Sequence, residues 1–464
     1  MAKGTGTVYE CTNCGATSVR WFGRCPRCNE GTLAEKRTPN EGVPGFGSRR
    51  QRPEIVDLSS FKSLGDNDPG SLDEQRIGSG LIEVDRVLGG GFLPGEVTVL
   101  TGEPGAGKST IASQIIAALA ESGMSCAYVC GEESPAQVMA RMQRLGLKDR
   151  AKNILAVPEA ELSYVVSAIA AHDFVVIDSI QMVYARELDT LAGNTAQLKY
   201  TTNAIYRQAK ESGCIVVLVA HVTKSGELAG PRHLEHMVDR VLMIEGDRTQ
   251  SLRILRAPKN RFGSTDEVGL LEMTEKGLKD VLDPSQMLLE ERPDAQAGSL
   301  LCPVLEGSRP LMVEVQALVV PSPLPTPIKR CRGIERARFD LLLALTNHQM
   351  PELGLAAKDV YLNVAGGLFV QDPAIDLAAA LAILSAAKRL AIKPTVSAFG
   401  ELSLLGRLRR VREPKRRIRE AARVSSDAVI LAPASAVDRC DQTLVPCVTL
   451  RQAFIELQRC GAED

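Results

Sequence analysis

Aromatic residues are scarce: Phe, Trp and Tyr make up 4% of the 464 residues, with a single tryptophan. That shortage disfavours an aromatic-rich all-β protein and suits α/β layers of Ala, Val and Leu. Net charge is almost absent too, since 55 Lys and Arg against 56 Asp and Glu leave −1 at pH 7. The whole-chain balance therefore points to no partner, and any contact with nucleic acid must come from local basic patches. No run of about 18 uncharged apolar residues occurs, so no membrane-spanning helix is expected. The opening MAKGTGTVYECTNC lacks the apolar core of a secretory signal, and the expected location is the cytoplasm.

What is present is enough apolar material for real cores, 44%, in a chain long enough for two or three domains. Of twelve cysteines, four fall within the first 28 residues. The other eight read as small buried hydrophobes in a reducing compartment. The stretch CTNCGATSVRWFGRCPRC sets Cys11 and Cys14, then Cys25 and Cys28, as two CxxC pairs ten residues apart. Two such knuckles present four thiolates to one ion, and a closed four-thiolate set means a structural Zn2+. A fragment this small buries too little apolar surface to fold alone, so metal binding would supply its folding energy. Two disulfides or redox motifs are the alternative, disfavoured by the compartment and by the lack of a surrounding βαβ pattern. Trp21 packs the knuckle or stacks on a base.

Residues 34–60 are rich in Pro, Gly and charge and read as a linker. Beyond them apolar runs alternate with helical patterns. GEVTVLTGE, SCAYVCGEE, DFVVIDSI and CIVVLVAH read as buried parallel strands; STIASQIIAALAESG, PAQVMARMQRLG and QLKYTTNAIYRQAKESG read as the helices between them. The rhythm resets near residue 286, PSPLPTP at 321–327 is a Pro-rich loop, and DLAAALAILSAAKRL is the clearest helix of a separate α/β domain. The expected order is a finger over 1–33, a linker over 34–70, an ATPase domain over 71–285 and a last domain over 286–464.

GEPGAGKST fits G-x-x-x-x-G-K-[ST] and lies between a strand and a helix, the setting that motif requires. Gly102, Glu103, Pro104, Gly105, Ala106, Gly107, Lys108, Ser109 and Thr110 would wrap the phosphates of ATP with backbone N–H groups at a helix N-terminus. Lys108 would reach the β- and γ-phosphates and Ser109 would supply a Mg2+ ligand. Asp178, closing FVVID, is placed to hold Mg2+ through water. Glu132 and Glu133 follow the strand AYVCG, where a base could orient the attacking water; Glu132 is favoured, and a solvated strand cap is the alternative.

The P-loop, GEES, LVAHVTKSGELAGPRHLEHMVD and KNRFG together resemble the bacterial RadA/Sms family of recombination ATPases, and the resemblance spans nearly the whole chain. It implies a RecA-like fold, ring hexamers, ATP-driven movement on single-stranded and branched DNA, branch migration in DNA repair, and a RecA-type recombinase as partner. One departure is Asn29-Glu30-Gly31, where family fingers usually carry an aromatic after the last cysteine. DVYLNVAGGLFVQDPAIDLAAALAIL and FGELSLLGRLRRVREPKRRIREAA resemble the proteolytic domain of Lon, whose nucleophilic serine is replaced here by Ala374. The activating lysine aligns with Arg416, whose guanidinium cannot serve as a base. A scaffold for ring assembly and DNA is expected, not a peptidase.

Three basic regions are candidates for DNA: the loop 222–236 with Lys224, Arg232, His233 and His236, the segment 329–338, and the segment 407–419 with eight Lys/Arg against one Glu. Charge runs are otherwise solvated faces. PKNRFG, 258–263, holds Lys259 and Arg261 with no acid beside them. In RecA-like rings this late region faces the neighbouring subunit's nucleotide, so both are expected to act in trans on its γ-phosphate. The expected protein is an α/β DNA-dependent ATPase built as zinc knuckle, RecA-like P-loop motor with a parallel sheet, and Lon-protease-like domain. A DNA-binding regulatory ATPase that switches partners without translocating is the rival.

Overall fold

The computed structural model describes residues 8–12, 17–18, 21, 23–25, 28, 33–36, 75–221, 233–246, 251–289, 295–436 and 444–461. The chain forms two compact units, 1–67 and 68–464. In the first, β1 (Val8–Cys11), β2 (Thr17–Ser18) and β3 (Leu33–Lys36) make an antiparallel sheet in the order β2-β1-β3. Strand β3 pairs along β1, with Cys11 opposite Leu33, and so crosses the expected boundary at 33/34. LAEK is too short to show a period, and only its pairing with β1 makes it a strand.

The second unit holds a nine-stranded sheet. Its strands are β4 (Val97–Gly102), β5 (Cys126–Cys130), β6 (Ile154–Val157), β7 (Phe174–Asp178), β8 (Ile215–Val219), β9 (Arg240–Glu245), β10 (Leu252–Asn260), β11 (Val268–Thr274) and β12 (Gly277–Asp280). The order is β12-β11-β10-β9-β4-β8-β7-β5-β6. The six strands from β9 to β6 run parallel, and β10 to β12 are added antiparallel. Every residue of β4, β5, β7 and β8 is buried, as continuous apolar strands covered on both faces must be. Strand β8 lies between β4 and β7, so the strand that ends in Asp178 is one place removed from the strand that opens the P-loop.

The helices expected at 109, 135 and 197 are Lys108–Glu121, Pro135–Arg144 and Thr195–Ser212. Ser134 caps the second through a reciprocal box with Gln137, and Asn194 caps the third. Strand β6 and helix Leu162–Ala171 were not legible in the sequence, since ILAV is only four residues long.

The remaining strands are β13 (Gln296–Ala297), β14 (Ser299–Glu306), β15 (Arg309–Pro321), β16 (Lys329–Arg332), β17 (Lys358–Val364), β18 (Ala391–Ile392), β19 (Val396–Ala398), β20 (Glu401–Leu402), β21 (Leu408–Arg409), β22 (Val429–Pro433) and β23 (Leu444–Cys447). Seven form a mixed sheet in the order β16-β17-β15-β14-β19-β22-β23. Helix Ile375–Lys388 is buried on every side from Ile375 to Ser385, the mark of a helix enclosed within a core. That core takes in Leu252, Val268 and Leu270 from the nine-stranded sheet and Val281 just after β12. Arg309 adds an ion pair to buried Glu83, and Arg256 one to Glu306. The two sheets of this unit are therefore packed as one body, with about 25 cal/mol stabilising each Å2 of apolar surface between them.

Candidate ATPase site

The P-loop is shaped by glycines that no other residue could replace. Gly102 has φ 151°, and a Cβ there would lie 2.3 Å from the Ile244 carbonyl oxygen of β9. Gly107 has φ 110° and turns the chain directly into helix Lys108–Glu121. Ala106 O accepts a hydrogen bond from Arg253 Nε at 3.1 Å, so β10 braces the loop from beside it. Lys108 is 5% exposed and folds back to donate to Gly102 O at 2.9 Å and Glu103 O at 3.1 Å. Burial pushes its amine below its usual range, while the charges of Asp178 and Glu132 act in the opposite direction. An anion arriving here would therefore meet a cation already desolvated beside free N–H groups at a helix start.

Parallel strands end side by side, and this brings the two acids to the loop. Asp178 ends β7 and is 6% exposed; its Oδ2 accepts from Tyr128 Oη at 2.6 Å. Glu132 follows β5, and its Oε1 accepts from Ser179 Oγ at 2.5 Å and lies 2.8 Å from His221 Nε2. Glu133 points elsewhere, into an ion pair with Arg141. Of the adjacent glutamates, Glu132 is the one tied to residues at the ends of β7 and β8. Tyr128, Arg141, Ser179 and His221 were not picked out from the sequence. His221 carried a signal, since it follows an apolar strand as Asp178 closes one. Arg141 carried none.

Lys259 and Arg261 lie far from this loop. Strand β10 runs antiparallel to β9, placing Asn260 opposite Arg240, which pairs with Thr98 at the start of β4. Thr98 and Gly102 are four residues apart along β4, about 13 Å at ~3.3 Å per residue. PKNRFG thus sits at the opposite edge of the sheet from its own chain's P-loop. Lys259 Nζ donates to the carbonyls of Glu235 and Val238, at 2.5 and 2.8 Å. Arg261 has an acid after all: its Nη1 is 3.3 Å from Oδ1 of buried Asp239, with its side chain still 47% exposed. Asp239 precedes β9 and is 22 residues from Arg261, well outside the cationic stretch.

In the first unit, the Sγ atoms of Cys11, Cys25 and Cys28 all lie within 4.8 Å of one another, with 3.6 Å between Cys11 and Cys28. Zn–S bonds of about 2.3 Å in a tetrahedron put sulfurs about 3.8 Å apart, so the thiolates fit the ion. Cys14 lies outside the described residues. Trp21 is 63% exposed.

At the Lon-like position, Ala374 is fully buried at the start of helix Ile375–Lys388. Arg416, aligned with the activating lysine, instead reaches the Ser308 carbonyl at 3.0 Å on the surface. Its neighbour Arg417 is the buried one, 2.5 Å from Asp372 Oδ2 and 2.8 Å from Pro303 O. The one-residue difference follows from helix Pro414–Val424, whose inward face takes Arg417 and Ile418. Other members of the basic segments are likewise absorbed by the fold: Lys329 donates to Leu355 O and Arg338 pairs with Asp376, whereas Arg412 pairs with Asp266 on the surface. Arg330, Arg332, Arg409 and Arg410 remain exposed. Lys224 and Arg232 lie outside the described residues, as does the side chain of His233, while His236 is part of the short helix His233–Met237.

A P-loop on a parallel sheet, two acids at the ends of neighbouring strands, and a strand inserted between those strands and the one that opens the P-loop define a RecA-like P-loop ATPase. This one carries a zinc ribbon before it and a Lon-like domain after it. Known family models match in the same places: an AAA domain over 69–227, a rubredoxin metal binding domain over 9–35, and subunit ChlI of Mg-chelatase over 342–435. The chain is 41% identical to DNA repair protein RadA of Brucella abortus (strain 2308) over 436 residues, 91% of each chain. It is 40% identical to that of Bacillus subtilis (strain 168), covering 94% of each. The Aquifex aeolicus (strain VF5) protein is 36% identical, with 97% of this chain and 98% of that one covered. The chain belongs to the RadA family of DNA repair proteins.

Proposed function

We propose that this ATPase is stimulated by DNA, works as a ring hexamer and drives branch migration of strand-exchange intermediates on single-stranded and branched DNA beside a RecA-type recombinase. Its P-loop, Gly102 to Thr110, cradles the phosphates of ATP, with Lys108 turning from the carbonyls of Gly102 and Glu103 to the β- and γ-phosphates. Ser109 and Asp178 hold Mg2+, which neutralises charge on the phosphates. Glu132 orients the attacking water, released from Ser179 and His221. Cys11, Cys14, Cys25 and Cys28 hold Zn2+ as a structural ion. Ala374 offers no nucleophile, so the Lon-like domain acts as a scaffold and not as a peptidase.

The observation that carries this reading is the placement of PKNRFG at the edge of the sheet away from its own P-loop. A half-exposed guanidinium there cannot serve its own nucleotide and is available to a neighbour's. Arg261 is the stronger candidate, because the amine of Lys259 is engaged by two carbonyls. Arginine fingers contribute about 10³–10⁵ in rate elsewhere. Arg261→Ala and Lys108→Ala subunits, each inactive alone, are mixed in equal amounts. Partial return of DNA-stimulated ATPase and of branch migration on a three-strand intermediate is expected, because some interfaces then pair an intact loop with an intact finger. No recovery at any ratio, with mixed rings verified, would refute action in trans. Turnover without any movement of a branch would favour a partner-switching ATPase.

A further inference from the structure

Helix Pro135–Arg144 is amphipathic, and a cation in its sequence is expected to face water. Arg141 does not; it is 8% exposed. Its three guanidinium nitrogens go to three different elements. Nε donates to Ser113 Oγ at 3.1 Å, on the helix that opens from the P-loop. Nη2 donates to Tyr128 Oη at 2.7 Å, on β5, and Nη1 pairs with Glu133 in the turn after β5. The guanidinium also lies 5.7 Å from the centre of the Tyr128 ring and 3.7 Å from Asp178 Oδ2.

Tyr128 is the link to the site. It is 1% exposed, and its hydroxyl is bonded on both sides. With Arg141 occupying its acceptor side, its one O–H is directed to Asp178 Oδ2 at 2.6 Å. That oxygen is committed inward, and carboxylate rotation is restrained. At the same time Arg141 draws Glu133 aside, leaving Glu132 as the glutamate bound to Ser179 and His221.

We propose that Arg141 is a positioning residue for both acids of the ATPase site, orienting Asp178 through Tyr128 and reserving the base position for Glu132 by holding Glu133 away. The proposal rests on the reading of Asp178 as the Mg2+-holding acid and Glu132 as the base. It assigns a role in turnover to a side chain that acts through Tyr128 and Glu133, as partners behind metal ligands commonly do.

The test uses the full chain with single-stranded DNA and Mg2+ titrated at saturating ATP. Tyr128→Phe removes one oxygen and keeps the ring, so the fold is retained. Its half-activating Mg2+ concentration should rise about tenfold, as loss of a group behind a metal ligand typically does. Its KM for ATP at saturating Mg2+ should stay within about twofold, because the phosphate-binding loop is untouched. Arg141→Lys keeps the charge but cannot span three partners, and its kcat should fall about tenfold. Asp178→Asn is the reference. If it abolishes turnover while Tyr128→Phe shows wild-type Mg2+ dependence, the positioning role is overturned and the reading of the site stands. If Asp178→Asn turns over normally, the reading itself fails and takes the proposal with it. Melting curves accompany each variant, and should Arg141→Lys unfold early, Tyr128→Phe decides.

Discussion

Replacing Arg240 with leucine strips a charge from the edge of the sheet where PKNRFG is held. Arg240 and Glu96 are both fully buried, and Nη1 donates to Glu96 Oε1 at 2.7 Å. Nη2 donates to Leu88 O at 3.0 Å and Nε to Asn260 Oδ1 at 3.1 Å, with the guanidinium 5.6 Å from the centre of the Phe262 ring. Arg240→Leu abandons Glu96 as an unpaired buried charge, a loss that generally costs about 3–5 kcal/mol. Thr98 Oγ1 and the Leu93 N–H still donate to Glu96, so the lower end, about 3 kcal/mol, is expected.

The pH dependence has a definite sign. Burial raises the Glu96 carboxyl above its ordinary 4.5, although Arg240 pulls it down. Without Arg240 it rises further. Below 4.5 the group is protonated folded and unfolded alike, whereas above it the unfolded chain ionises first and stability falls as pH climbs through the folded value. The deficit of the variant should therefore be smaller at about pH 5 than at about pH 8. Urea unfolding followed by far-UV circular dichroism measures it; the single tryptophan, Trp21, would report only on the amino-terminal unit. Glu96→Leu combined with Arg240→Leu should recover most of the loss. A deficit that is the same at both pH values, or one the double variant leaves unchanged, would refute the argument.

Glu132→Gln should abolish multiple turnover while ATP still binds, and Glu133→Gln should cost at least tenfold less, checked by steady-state ATPase and nucleotide binding. Cys25→Ser removes one of four thiolates; metal analysis should show zinc lost from a chain whose 68–464 unit melts as before. Ala374→Ser restores a hydroxyl but no base, because Arg416 lies on the surface and buried Arg417 is held by Asp372, and neither guanidinium gives up its proton, so casein should remain uncut. Casein cleavage by that variant would mean that the helix geometry is competent and only the nucleophile was missing.

Local patterns made the architecture legible. The zinc ribbon follows from two CxxC pairs, because each knuckle is complete within four residues. The P-loop follows from glycine spacing between a strand and a helix, and β4, β5, β7 and β8 from apolar runs long enough to be buried on both faces. Asp178 at the end of β7 and the Glu132-Glu133 pair after β5 stood out because strand ends show in hydropathy.

Three things were decided only by tertiary packing. Glu132 and Glu133 are adjacent and chemically identical, and what separates them is Arg141 on one side and Ser179 with His221 on the other. In the Lon-like domain, the choice between Arg416 and Arg417 depends on which face of one helix turns inward toward Asp372. Lys259 and Arg261 look alike in a short cationic stretch, but one amine ends on carbonyls and the other side chain remains half exposed beside Asp239. The physical reason is common to all three: hydropathy and motif spacing register along the chain, whereas the partner of a charge is set by how strands and helices pack together. Arg240 finds Glu96 144 residues away because β9 lies beside β4, and the reversal of β10 carries Arg261 to the edge opposite its own phosphate loop.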